Sequence, residues 1–383
     1  MALTDKLTAI GDAIRDKTGS TDLLTLDAMP TAISGITTGG GDLPEEAFAV
    51  TGDCSYRFAN NGWNWFIKNY KNKVVSSDIT NAKCMFYKST ELTESPFDIN
   101  AKKDTNIVLS EMFYGCEKLK SVPNINNARV KEIYGIFKLC KSLREIPSDY
   151  FETWDWSTLD TMTSPSYGYA DGIFTNCYSL RSIPMEILKH VNPNVQYMYS
   201  YFYNGFGYCY SLDEIVGLPI PYTATWTSNA FSSTFSYCGR LKRMTFATQE
   251  DGTPISVKWR SQVIDLSTQL GYTAVHSNIT NYNSGITSDK KVTDDETYQV
   301  LKDDPDWFTD LIPYSRYNHD SAVETINSLP DTSAFLLSTV TNGKNTIKFK
   351  GEAGSATDGG AINTLTEEEI AVATARGWTV AFV

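Results

Sequence analysis

The sequence predicts an α/β-type repeat solenoid: an irregular stack of coils with short strands, opened by an amphipathic helix and closed by a helix and a strand. Three observations carry that prediction. A frame FxxCxxLxx(I/V)P recurs through the middle of the chain, the first residues carry one helical stripe, and the last read as a capped helix followed by an alternating strand.

The frame is complete three times: Phe113, Cys116, Leu119, Val122 and Pro123; Phe137, Cys140, Leu143, Ile146 and Pro147; Phe174, Cys177, Leu180, Ile183 and Pro184. Degenerate copies flank these, with Phe86, Ser89, Leu92 and Pro96 before, and Phe206, Cys209, Leu212 and Ile215, then Phe235, Cys238, Leu241 and Met244, after. From Ser89 through Cys116, Cys140, Cys177 and Cys209 to Cys238 the steps are 27, 24, 37, 32 and 29 residues. The shorter steps suit one coil of roughly 20 to 29 residues, so the excess elsewhere must leave as loops on one face. One coil cannot bury its own apolar edge, whereas stacked coils place Phe on Phe, Cys on Cys and Leu on Leu. Proline after Ile or Val ends a short extended run, which suits a coil corner.

At the N-terminus, Leu3, Leu7, Ile10 and Ile14 share one helical stripe that ends near Gly19. Too short to be stable alone, it packs either on the rest of the chain or in a small coiled-coil bundle that docks on a larger assembly. Leu24, Leu26, Met29 and Ile33 suit a second helical element, and Gly39 to Gly41 a flexible join. Residues 1–41 therefore read as a helical attachment and oligomerisation segment with a Gly-rich hinge. Residues 42–80 read as an N-terminal cap, with Phe58, Trp63, Trp65 and Phe66 outside the frame. Residues 81–250 read as the repeats, and 251–383 as degenerate repeats and a C-terminal cap. Within that cap, Val263, Ile264 and Leu266 suit a strand, Ser321 to Leu329 a helix, and Thr346 to Lys350 a strand. Thr366 then N-caps a helix that Gly377 stops before the strand Trp378 to Val383.

Composition excludes several function classes. A net charge of -12 repels a phosphate backbone, so nucleic acid is not an expected partner. Met1 to Leu7 lacks the basic start and apolar core of a secretion signal, and no apolar stretch is long enough to span a bilayer. Release by lysis or particle assembly is the expected route out of a cell. Seven cysteines cannot all pair within one chain, and five of them hold one frame position, where a thiol acts as a small apolar filler. Buried free thiols are expected, with no CxxC pair to hold a metal.

Nothing in the sequence assembles a catalytic site. His190, His276 and His319 lie far apart and outside any metal-ligand spacing, and no nucleophile elbow, phosphate loop or dinucleotide fingerprint occurs. Asp303, Asp304 and Asp306 lack the spacing and glycine of a calcium loop and read as a solvated turn. Catalytic residues, metal and cofactor are all expected to be none. The two longest connections instead concentrate aromatics: Tyr150, Trp154, Trp156, Tyr167 and Tyr169 in one, and Tyr197, Tyr199, Tyr201 and Tyr203 in the next. Facing outward, such rings make a rigid amphipathic binding surface; facing inward at period-two spacing, the second set would line one side of a strand. Both readings fit the sequence.

The copies resemble BspA-type leucine-rich repeats, in which an aromatic precedes a cysteine and then a leucine, as in Met112, Phe113, Tyr114, Gly115, Cys116, Glu117, Lys118, Leu119. The resemblance covers roughly residues 80 to 250, and the long steps between Cys140 and Cys209 depart from it. The opening LTDKLTAIGDAIRDKTGSTDLLTLDAMPTAISGI and the closing LTEEEIAVATARGWTV look like the ends of phage tail-associated repeat proteins. The resemblance implies a tail fibre or receptor-binding protein of a virion. Its N-terminus would join other tail or baseplate proteins, it would form a homo-oligomer with a trimer favoured, and its repeats would bind a host surface glycan or protein. A bacterial cell-surface adhesin of the same repeat type is the alternative.

Overall fold

The computed structural model describes residues 48–60, 71–159, 172–189, 205–220, 225–226, 241–267, 318–334, 344–349 and 365–383, together with 231, 234–236 and 238. The N-terminal stripe Leu3, Leu7, Ile10 and Ile14 lies outside them, as do Trp63, Trp65, Phe66 and the acidic turn at Asp303 to Asp306. The chain divides into two compact units, Met1–Ala49 and Val50–Val383, and the second holds nearly all described residues.

The architecture is mixed α/β with several small parallel sheets. Strands β1 (Ala49–Asp53), β2 (Val75–Asn81), β4 (Asn106–Val108) and β6 (Arg129–Glu132) form one sheet in that order, and β3 (Ile99–Asn100) pairs with β5 (Ile125–Asn126). After helix α1 (Glu186–Lys189), β7 (Glu214–Leu218) pairs with β9 (Arg243–Phe246), and β8 (Thr225–Trp226) with β10 (Lys258–Trp259). The last sheet runs β11 (Val263–Asp265), β12 (Asn345–Phe349), β13 (Trp378–Phe382), with α2 (His319–Ser328) and α3 (Glu367–Ala375) between its strands in sequence. The pairs β2–β4, β3–β5, β4–β6 and β7–β9 are parallel. Parallel neighbours require the chain to return before pairing again, and the recurring step of the frame supplies that return.

Within the frame, side chains stack copy on copy. The rings of Phe58, Phe86, Phe113, Phe137, Phe174, Phe206 and Phe235 form one column with successive centroids 5.5, 5.2, 6.0, 6.3, 6.5 and 6.0 Å apart. Each such contact adds about 1 kcal/mol beyond the area it buries. Leu92, Leu119, Leu143, Leu180, Leu212 and Leu241 are buried in their own column. Phe58 corrects the sequence expectation: it lies in the segment read as a cap outside the frame, yet it stacks on Phe86 and its amide donates to Met85, as the Phe86 amide does to Met112. What its copy lacks is the cysteine and leucine, replaced by Asn61 and Asn64.

The thiols are more than fillers. Cys116, Cys140, Cys177, Cys209 and Cys238 each donate from Sγ, at 3.1 Å, to the carbonyl of the phenylalanine one copy back: Phe86, Phe113, Phe137, Phe174 and Phe206. Ser89 makes the same bond to Phe58 at 2.7 Å, which explains how serine substitutes in this position. All seven cysteines are free and buried.

Two residues per copy hold a left-handed backbone. Two positions before the phenylalanine stand Tyr56, Cys84, Glu111, Gly135 and Gly172, and two after it Asn60, Lys88, Gly115, Leu139, Asn176 and Tyr208, all with φ between 54° and 72°. The second set is the third residue of a turn closed by the amide three after the phenylalanine, as in Cys116 to Phe113 and Cys140 to Phe137. Glycine takes this conformation freely, whereas other residues there carry roughly 1 to 2 kcal/mol of strain. At Gly115 and Gly135 it also leaves room for the stems of Lys88 and Glu111, whose Cγ atoms would each lie 3.3 Å from an added Cβ.

A polar helix face covers one end of a sheet. Ser321 Oγ donates to the Lys242 carbonyl at 2.6 Å, Thr325 Oγ1 to the Met244 carbonyl, and the Phe246 amide donates to Ser328 Oγ at 3.0 Å. Spaced by four and three residues, these hydroxyls share one face of α2 and satisfy the outer backbone edge of β9. Helix α3 carries a complete capping box between Thr366 and Glu369.

Two outcomes are expected. Burial pushes the Cys209 thiol from 9.0 up to about 12, and Cys140 and Cys177 well up. The folded thiols should therefore resist iodoacetamide at neutral pH and react once urea unfolds the chain. Because the unfolded chain loses these protons first, stability should hold below pH 9 and fall as pH rises toward 12, seen as a falling thermal midpoint. Separately, Thr325→Val should cost about 1 to 3 kcal/mol in urea denaturation, since it deprives the Met244 carbonyl of its α2 donor.

Candidate recognition surface

Of the aromatic residues in the first long connection, Trp154 is buried and Tyr150 and Trp156 are half-buried. Trp154 is only 5% exposed and lies against Phe151 (5.0 Å, 82°), Tyr150 (5.4 Å) and Trp156 (5.6 Å, 26°). Tyr150 donates its hydroxyl to the Pro123 carbonyl at 2.7 Å, and burial pushes its phenol up. Trp156 donates Nε1 to the Phe151 carbonyl at 3.2 Å. The cluster ties the enlarged connection to the preceding copy through the Tyr150 hydroxyl, with Trp154 packed inside it. Tyr167, Tyr169, Tyr197, Tyr199, Tyr201 and Tyr203 lie outside the described residues.

A different row of rings reaches the surface. Tyr87 and Tyr114 directly follow the stacked Phe86 and Phe113, so the column places them one above the other, with centroids 4.9 Å apart and planes 13° from parallel. Tyr56, 56% exposed, extends the row to Tyr87 at 6.3 Å and 58°. Lys88 sets its ammonium 5.3 Å from the Tyr87 centroid. The left-handed residues flanking the phenylalanine turn these side chains outward while the phenylalanine points in.

The Cys84 thiol beside Tyr56 pushes that phenol up to about 12, and burial raises Tyr114 and Tyr134. Cys84 itself donates to Glu111 at 3.5 Å. At neutral pH the edge therefore offers hydroxyls that both donate and accept.

Further along, Lys141 bridges Glu117 at 3.1 Å and the Tyr178 ring at 5.7 Å, and Tyr178 meets Tyr210 at 5.0 Å. A shallow groove of about 540 Å³ runs across three copies at the Ile/Val-Pro corner, between Ser121, Val122, Ile146, Pro147, Ser182 and Ile183. His319 pairs with Glu369 (3.1 Å) and Asp320 (3.3 Å) in a clasp between α2 and α3, and His190 and His276 lie outside the described residues. Among the described residues no group of three His, Cys, Asp or Glu side chains is placed to hold a metal. No described helix is long and apolar enough to cross a membrane.

The tyrosine row lies outside the two long connections in which the aromatic residues are concentrated. The signal was nevertheless present, as the tripeptide Met-Phe-Tyr at Met85 to Tyr87 and again at Met112 to Tyr114. No protein-family model matches the chain, and no curated protein or solved structure is similar to it.

Trp154→Ala should lower stability by about 3 kcal/mol in urea denaturation, as expected for a packed core indole, and leave ligand binding at the tyrosine row unchanged.

Proposed function

We propose that this chain is a non-catalytic recognition protein of a bacteriophage tail, a leucine-rich-repeat solenoid of the BspA type whose repeat surface binds a host surface glycan or protein. Its N-terminal helical segment joins other tail proteins and gathers the chains into a homo-oligomer, with a trimer favoured. The observation that carries the reading is the outward row Tyr56, Tyr87 and Tyr114, which presents rigid amphipathic side chains at little conformational cost. The uninterrupted phenylalanine column behind it supports the assignment of a long rigid scaffold. The resemblance of both chain ends to phage tail proteins supports the placement in a virion.

Fluorescently labelled chain applied to a panel of intact bacterial strains should decorate a subset of them. The double variant Tyr87→Ala with Tyr114→Ala should lose that binding while its thiols remain protected from iodoacetamide, which reports an intact column. Undiminished binding by the variant, or failure of the parent chain to bind any strain, would refute the reading.

A further inference from the structure

We propose that the ligand of the Tyr56, Tyr87 and Tyr114 row is a linear, sparsely charged polysaccharide lying along the stacking direction with one sugar residue per copy. The inference rests on the preceding assignment of this row as the recognition surface and adds the class of ligand.

Ring orientation is the first argument. Tyr87 and Tyr114 are nearly parallel at 4.9 Å, so each turns a face to the other along the stack. The Lys88 ammonium lies over the Tyr87 ring, and Tyr56 stands tilted beside it. A sugar therefore cannot lie flat between the rings as on an isolated tryptophan platform. What the row offers a ligand passing over it is ring edges and phenol hydroxyls. A hydroxyl that donates and accepts matches the hydroxyls of a sugar.

Spacing is the second argument and separates a glycan from a peptide. The tyrosines step by 6.3 and 4.9 Å, and the phenylalanines beneath them set a pitch of 5.5 and 5.2 Å. An extended peptide along this axis presents same-side groups only every second residue, roughly 6.6 Å apart, and falls out of step within a few copies. An extended chain of pyranose rings advances by close to the phenylalanine pitch with each residue, so one sugar residue meets each copy in turn and offers its hydroxyls from alternate edges.

Charge is the third. Glu132 acts on Lys83, and Glu111 and Lys88 act in opposite senses on Tyr114, so carboxylates stand among the ammonium groups of this edge. Such a row has no excess of cations with which to hold a polyanion.

The test uses the full chain and soluble cello-, chito- and manno-oligosaccharides from disaccharide to octasaccharide, with affinity read by calorimetry. At least one series should bind, with affinity rising from disaccharide to trisaccharide and then levelling. Tyr87→Phe with Tyr114→Phe keeps both rings and should leave the thermal midpoint unchanged, while weakening the tetrasaccharide about twenty-fold for the two hydroxyls removed. No binding in any series, no dependence on length, or full affinity in the phenylalanine variant would each overturn the inference. If the alanine pair abolishes cell binding while the phenylalanine pair preserves it, the row remains the recognition surface and only the glycan assignment falls.

Discussion

Each phenylalanine carbonyl in the middle of the stack accepts two hydrogen bonds, and much else follows from that sharing. The Phe113 carbonyl receives the Cys116 amide at 3.1 Å, which closes its own turn, and the Cys140 thiol at 3.1 Å, which ties down the next copy. A residue able to do this must be small, tolerate complete burial and carry a donor, and cysteine meets all three demands. Serine meets them with a greater desolvation cost, and Ser89 stands near the end of the column. The bond fixes the height of one phenylalanine ring over the next, and with it the height of every side chain on the outside.

The outer surface is thus set by the inner one. Left-handed residues on either side of each phenylalanine turn the chain sharply enough that neighbouring side chains point in opposite directions. Six of the eleven positions in these two rows carry a residue other than Gly or Asn, and that strain persists because the packed column over-determines the backbone. Where glycine stands instead, at Gly115 and Gly135, the preceding copy lays a long side chain across the space.

Much of the interior was legible in the sequence because spacing within the frame is invariant even where spacing between copies is not. Phenylalanine, cysteine and leucine could be aligned without knowing any backbone angle, and the helix and strand at the C-terminus were legible from the Thr366 cap and Gly377. Phe58 was not, because its copy keeps only the upstream half of the pattern. The direction of Trp154 was not, since aromatic content in a connection carries no information about which side it faces. The role of α2 was hidden for a different reason: the hydroxyls of Ser321, Thr325 and Ser328 meet a backbone edge, which has the same need for hydrogen bonds as water has. The repeated Met-Phe-Tyr marks Tyr87 and Tyr114 as equivalent in the sequence, and their stacking follows from that of Phe86 on Phe113.

The thiol bonds also give the stack a direction. Backbone amides such as those of Tyr56, Phe58 and Asn60 donate forward to the following copy, while each cysteine donates backward to the one before. Every interior copy therefore presents the same pair of complementary surfaces, one above and one below. A gene duplication that inserts a whole copy would find both neighbours already matched to it, so length can change during evolution in units of one copy without any new chemistry at the joints.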